Sequence, residues 1–587
     1  MSRTHIDSMM CSMDRRHLLR LMGGAGAALH PGIQAIGQLA TAGHAPGGVF
    51  VNQIGYLPTN TKQATVRCND ASDDHFEIRS IEGDRVVFNG RLGGAVTDAA
   101  SGDHVRIAEF SKLHATGTYR IEAAGFKSDV FSIAPHAYAN ALKVTMRGYS
   151  GQRCGTAVDL GGGYRHPGCH HDGAFHATSG KSGTLANHGG WHDAGDYGRY
   201  IVNSSISTGT LLWAWEFYAP LLHSFSLDIP ESGGKTPDFL AEVRWNLEWM
   251  LQLQDTDGGV WHKQTSEHFS AFIMPQDDTL TSYVIGAGAA PYKSTCATGG
   301  FSAVMAIAAR CYGPFDAAFA QRCLVAARQA WAWAKAHPDV IFVNPSGILT
   351  GEYGDKYCGD EVVWASAELW RTTGEGEFEQ AFLAKMPPRD VALTISAPEW
   401  ANVISMAYWT YALASKGGDS EVKERIRSAT TKAAEELVSR SKESGYGNTL
   451  ALADYVWGSN GVAGNQSLLL LVADHFHHDQ AMWNTALNNL HYMVGRNCHG
   501  VSWVTHLGVR PFEHPHHRPS VADNIAAPWP GLLSGGPNSR GGDVVANALP
   551  KQPPMWMWLD DERAYSLNEI AINWNAPLVF LLAAANS

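Results

Sequence analysis

The sequence predicts two domains, a small all-β sandwich followed by a large all-α barrel, and three observations lead there. Short alternating runs bounded by Gly, Asn and Asp fill the first part of the chain. After about residue 135 the apolar spacing changes to a helical period and stays so. Long Gly/Pro/aromatic connections join the helical stretches, and such loops build a site at one rim of a barrel. With 587 residues, 45% hydrophobic and 17% charged, the chain has the size and composition of a folded multidomain protein.

In chain order, residues 1–45 read as an address. Arg15 and Arg16 precede a modest Gly/Ala/Leu run that ends in small residues near "ATAGHA", which resembles a twin-arginine export signal. The run is too short and Gly-rich for a membrane anchor, so a periplasmic or secreted protein is expected. Residues 46–135 hold "QATVRC", "HFEIRS", "DRVVFNG" and "HVRIAEF", the strands of the sandwich. Residues 136–587 hold "TPDFLAEVRWNLEWMLQLQD", "GGFSAVMAIAARCYG", "FAQRCLVAARQAWAWAKAH", "DEVVWASAELWRTTG" and "GNQSLLLLVADHF", with apolar residues at i, i+3, i+4 and i+7. Ten or more helices with almost no strand signal are expected there, forming a helical barrel.

A net charge of -12 leaves no basic footprint, so neither nucleic acid nor anionic membrane is an expected partner. Nineteen Trp and nineteen Tyr suit sugar-ring stacking as well as cores. Trp364, Trp457 and Trp574, with Trp261 behind them, are candidate stacking platforms.

Of the cysteines, most read as small buried hydrophobes. Cys154 and Cys169 differ, because His170 and His171 follow Cys169 at once. Two thiolates and two imidazoles make a tetrahedral zinc set, so Cys154, Cys169 and His170 are expected ligands. His188 is expected as the fourth, ahead of His176 and His192, and a Cys154–Cys169 disulfide is the alternative. In a second cluster, Glu352, Asp355, Asp360 and Glu361 supply the oxygen density of a calcium site or of a solvated acidic loop.

The stretch "NHGGWHDAGDYGRY", residues 187–200, sets Asp193 and Asp196 three apart between glycines and aromatic residues. By itself that is turn composition. With "TGEYGDKYCGDEVVWASAELWRTTG", "HYMVGRNCHGVSWVTHLGVRPFEHPHHRPS" and "DDERAYSLNEIAINWNAPLVFLLA", it resembles glycoside hydrolase family 9, the inverting cellulases and related β-glucanases. The resemblance spans essentially the whole chain after the export segment.

The resemblance implies an immunoglobulin-like sandwich before an (α/α)6 barrel that cuts β-1,4-linked glucan, with Asp196 as general base, Asp193 orienting the water and Glu569 as general acid. It also implies that His516, His517 and Arg518 hold sugar hydroxyls, and that the acidic cluster binds a structural calcium. A secreted, monomeric endo-acting glucanase is the leading expectation; an exo-acting cellodextrinase or glucosaminidase comes next. A non-catalytic sugar binder is less favoured, since a binder has no need of both carboxylate roles. The two aspartates should titrate as a coupled pair, and the apolar setting of Glu569 should raise its pKa.

Overall fold

The computed structural model describes residues 47–68, 74–186 and 188–587. The export segment with Arg15 and Arg16 lies outside the described residues. No described helix is long and apolar enough to cross a membrane.

The first domain contains β1 (Gly48–Phe50), β2 (Gln63–Arg67), β3 (His75–Ser80), β4 (Val86–Arg91), β5 (Val96–Thr97), β6 (His104–Glu109), β7 (Gly117–Ala123), β8 (Phe126–Lys127) and β9 (Phe131–Ile133). They form two sheets, ordered β1-β2-β6-β5 and β4-β3-β7-β8, with β9 paired to β7. Alternation drives the packing, because a strand with one buried face must place every second side chain inward. Val66, Phe76, Ile78, Ile121, Phe131 and Ile133 are among those that meet between the sheets.

Twelve helices among the described residues build the barrel in two layers. The inner layer is Ile201–His223, Thr295–Tyr312, Gly359–Thr373, Ile404–Leu413, Ser459–Phe476 and Ile572–Asn586. The last of these packs back on the first and closes the ring. Helices of this layer are buried nearly all round, as in the unbroken buried run from Ile201 to Trp215. The outer layer is Ala139–Gly151, Asp238–Gln252, Ala317–Ala336, Gly376–Leu383, Ser420–Glu443 and Gln480–Met493. The outer helix Ser420–Glu443 buries only a stripe, Ile426, Thr430, Ala434, Leu437, Val438 and Ser441. Side-chain caps start several helices: Asp316 Oδ1 accepts from Phe319 N at 3.0 Å, and Asp479 Oδ1 from Ala481 N at 2.7 Å.

The expectation of almost no strand in this domain needs correction. A five-stranded mixed sheet caps one end, in the order Thr184–Ala186, Asp172–Phe175, Tyr283–Ile285, Lys263–Thr265, Arg199–Tyr200. Each strand has only two to four residues, too few for a period-2 pattern to register. A disulfide, Cys296–Cys358, ties the inner helix Thr295–Tyr312 to the segment before Gly359–Thr373. In sequence both cysteines read as buried hydrophobes, since partners 62 residues apart leave no local mark.

The sandwich is stitched to the barrel by polar groups. Gln53 Nε2 donates to Gly500 O at 2.8 Å, and its Oε1 accepts from Val509 N and Arg510 N at 3.0 and 2.8 Å. Thr65 Oγ1 donates to Gly445 O at 2.8 Å, and the Tyr138 hydroxyl to Gly55 O at 3.1 Å.

Candidate active site

The DAGD segment enters the inner helix Ile201–His223 through the strand Arg199–Tyr200 and presents both aspartates to a cleft of about 350 Å³. Gly195 lets it do so. A Cβ there would stand 1.8 Å from the carbonyl oxygen of His516, so no other residue fits. From the far end of the chain, Glu569 reaches the same cleft. Its backbone bridges to His516, and its carbonyl accepts from Gly535 N at 2.7 Å.

The two aspartates are bonded differently. Both oxygens of Asp193 are engaged: Asn203 Nδ2 donates to Oδ1 at 2.6 Å, and the Tyr353 hydroxyl to Oδ2 at 2.6 Å. Asp196 uses only Oδ2, which accepts from Gly198 N at 3.0 Å and from the Tyr200 hydroxyl at 3.3 Å. Burial, then the charge of Asp196, raises the Asp193 carboxyl to about 7, although its two donors pull the other way. Glu569 is raised well above the usual carboxylate range by burial and by both aspartates, against Arg518 and a hydrogen bond from Trp457. A carboxylic acid held above its ordinary range thus shares the cleft with Asp196, whose Oδ1 accepts no hydrogen bond from the described protein.

Trp457 and Trp574 line the cleft as expected. Trp457 is 45% exposed, and the Trp574 indole lies against Gly458, Gly461 and Gly535. Trp364 does not: it is fully buried in an inner helix, where its Nε1 donates to Glu368 Oε1 at 3.2 Å. Trp261 is buried too, its Nε1 donating to Ser179 O. In a ring of buried helices a tryptophan at helical spacing belongs to the core. Trp400, Tyr353 and Phe269, which sequence reasoning missed, complete the aromatic lining. Their only prior mark is position in long aromatic loops.

The expected sugar contact of His517 needs correction, and Arg518 has a second, structural task. Both are buried; both ring nitrogens of His517 are spent on protein, as are Nε and Nη1 of Arg518. His517 bonds Ser520 Oγ and Gln152 Oε1 at 2.8 and 3.0 Å. Arg518 Nη1 donates to Gly195 O at 2.7 Å and Nε to Ser270 O at 3.0 Å, so it braces the DAGD loop from behind. His516 is half-buried beside Phe272 and Tyr565.

Behind the cleft, ligand atoms of Cys154, Cys169, His170 and His192 lie within 4.8 Å of one another. This is a zinc donor set, and it fits in detail. His170 Nε2 faces Asp278 Oδ2 at 3.3 Å, leaving a buried Nδ1 with no partner. A carboxylate behind a ligating imidazole is the usual outer-sphere arrangement. Burial opposes a thiolate at Cys154, but Cys169, Arg199 and the imidazoles of His192 and His170 hold its thiol well below its ordinary value. His188 is exposed and outside the cluster, and His192 takes the fourth place in it. Bonds from Cys154 N to Gly190 O and from His192 N to Gln152 O zip the two segments together and bring His192 inward. Cys154 and Cys169 are both free, so the disulfide alternative falls.

Of the acidic cluster, Asp355 and Glu361 converge with Asp360 beside them, and all three are buried. Asp355 Oδ2, Asp360 Oδ1 and both oxygens of Glu361 lack a hydrogen-bond partner. Burial, then Asp360 and Asp355, raises Glu361 well above its ordinary value. Four buried carboxylate oxygens without a protein donor fit a hard cation. Glu352 stands apart, exposed on the cleft wall, where its Oε2 accepts from Asn344 N.

Comparison with known proteins agrees with this architecture. Residues 138–582 match glycosyl hydrolase family 9, and residues 44–128 match the cellulase N-terminal ig-like domain. The chain is 35% identical over 543 residues to endoglucanase D of Acetivibrio thermocellus, covering 91% of this chain and 83% of the relative. A cellodextrinase of Butyrivibrio fibrisolvens is 33% identical, covering 91% and 99%. The solved structure of a zinc-binding triple mutant of the family 9 endoglucanase J30 superposes with a TM-score of 0.85 at 34% identity, covering 90% of this chain and 99% of that one. The chain therefore belongs to glycoside hydrolase family 9, with the immunoglobulin-like domain in front of an (α/α)6 barrel.

Proposed function

We propose that the chain is an endo-acting β-1,4-glucanase that hydrolyses cellulose-type or mixed-linkage glucan with inversion at the anomeric carbon. The unequal hydrogen bonding of the aspartates carries this reading. Asp193, fully bonded, orients the attacking water. Asp196, with Oδ1 free, takes the water's proton as oxygen bonds to the anomeric carbon. Glu569 gives its proton to the departing glycosidic oxygen, and the C–O bond breaks. Trp400, Trp457 and Trp574 stack sugar rings, and His516 serves the hydroxyls beside the scissile bond. An inverting pair needs its base and acid roughly 6.5 to 9.5 Å apart to admit water. NMR of the first product tests the reading. The α-anomer is expected before mutarotation, and an initial β-anomer or a glycosyl ester on either aspartate would overturn it.

Endo action is favoured by the relatives named endoglucanase; the cellodextrinase relative keeps exo cleavage as the second reading. Product profiles on carboxymethylcellulose and cellohexaose separate the two. Zinc at Cys154, Cys169, His170 and His192 would supply a structural cross-link rather than chemistry, and calcium would sit at Asp355, Asp360 and Glu361. Arg15 and Arg16 support export by the twin-arginine route to the periplasm or beyond, where the enzyme acts as a monomer.

A further inference from the structure

Lys263 is a fully buried cation that the hydrolytic roles above do not use. It lies in the strand Lys263–Thr265, paired with Tyr200 on one side and Ile285 on the other. Its Nζ donates to Gly351 O at 2.7 Å, Asn344 Oδ1 at 2.8 Å and Thr350 Oγ1 at 3.1 Å. With Thr350 O at 3.4 Å there are four acceptors around Nζ, the nearest three matching the three donors of an ammonium; a neutral amine has only two. All three partners are neutral, and a buried charge without a counter-charge is costly.

The counter-charge lies across one ring. The ammonium stands 5.6 Å from the Tyr200 ring centroid, and the Tyr200 hydroxyl donates to Asp196 Oδ2. Around Lys263 are the anions Asp196 and Glu352, the rings of Tyr200 and Phe342, and His262, which burial keeps neutral by lowering it to about 3. Around Asp196 are Asp193, Glu569, Tyr200, His516 and Lys263. Arg518 is the other positive charge nearby: it bonds the carbonyl of Gly195 and acts on Glu569, whereas Lys263 is the cation coupled to Asp196. Burial draws its ammonium down to about 7, while Asp196 and Glu352 hold it up.

The same side chain fixes a segment. Residues 344–351 lead directly to Tyr353, the donor to Asp193, which sits at φ 44°. Lys263, the Thr265–Thr350 hydroxyl pair and the His262 contact to Glu352 O clamp that segment to the sheet.

We propose that Lys263 is a positioning residue for hydrolysis: its ammonium, set across the Tyr200 ring, is the buried counter-charge of the water-activating Asp196 carboxylate, and it locks the segment that delivers Tyr353. The proposal rests on Asp196 being the base. Its test is the pH profile of kcat/KM on soluble cello-oligosaccharides for wild type, Lys263→Met, Lys263→Arg and Asn344→Leu. Lys263→Met should move the acid limb upward by about one unit and lower kcat on the order of tenfold near the wild-type limb, with KM little changed. Lys263→Arg should return the limb toward wild type. Asn344→Leu loosens the clamp without touching the charge, so it should lower Tm and leave the limb in place. A folded Lys263→Met with an unmoved limb, or an equal shift in Asn344→Leu, overturns the proposal.

Should Lys263→Met not fold, the 13C shift of the Lys263 Cε in labelled protein reports the same coupling. The ammonium should lose its proton at lower pH in Asp196→Asn than in wild type, and identical titrations overturn the proposal. An Asp196→Asn enzyme that keeps its turnover would instead sink the assignment of the base.

Discussion

Two groups of three acids are built into this barrel, and the protein treats them in opposite ways. Asp193, Asp196 and Glu569 open on a cleft, and the aspartates are furnished with donors from Asn203, Tyr353, Gly198 and Tyr200. Asp355, Asp360 and Glu361 are sealed inside and keep four oxygens without a donor. Both groups feel burial and mutual repulsion, which raise Asp193 and Glu361 alike. The difference lies in what can reach them. Donors and an open face leave room for water and a sugar, whereas orphan oxygens in a closed site call for a cation.

The largest effect that tests this contrast is at Asp196. Asp196→Asn should lower turnover by roughly a hundred- to ten-thousandfold, the worth of general-base assistance, without lowering Tm. A large Tm loss would place Asp196 with the structural acids. Chelation should do the reverse to the closed group. With calcium at about a hundred times its Kd, binding adds about 3 kcal/mol to stability, so EGTA should lower Tm and spare the activity of still-folded enzyme at 25 °C. Glu361→Gln should abolish the calcium response. If calcium leaves the wild-type Tm unmoved, the closed group is not a cation site.

Asp193 gives a smaller effect with a defined sign. Its carboxyl is raised to about 7, so between about pH 4 and 7 the folded protein holds a proton that the unfolded chain has lost. Stability contributed by that proton is present at low pH and lost as pH rises through this window. Asp193→Asn should therefore gain on wild type from pH 4 to pH 7, on the order of 2 kcal/mol, because one charge is shared with Asp196. Denaturant midpoints at the two pH values check it, and a constant difference contradicts it. Smallest of all, Trp457→Ala should raise KM several-fold, about 1 kcal/mol of stacking, and leave Tm nearly unchanged.

Much of this contrast is legible in the sequence. The glycines around Asp193 and Asp196, the acid within "NEIAINWN", and Cys169 followed at once by His170 all mark local backbone demands or ligand chemistry, which a sequence displays directly. What stayed hidden depends on pairing between distant segments. His192 joins Cys169 because Cys154 N meets Gly190 O, and Cys296 meets Cys358 across 62 residues. Tyr353 and Lys263 gain their meaning from strands of two or three residues. Trp364 and Trp457 look alike in sequence and differ only in whether an inner helix or a loop carries them.

The seam between sandwich and barrel bears on how such enzymes can be recombined. A joint held by grease tolerates exchange, since any apolar face of similar shape will cover it. Here Gln53 answers a carbonyl and two amides of a single barrel loop, and Thr65 answers the carbonyl of Gly445. A sandwich grafted from another source would arrive with its own spacing of donors and acceptors and leave those backbone groups stranded. The front domain is keyed to this barrel as a plug is to its socket, and chimaeras that preserve both halves of the key should outlast those that preserve the fold alone.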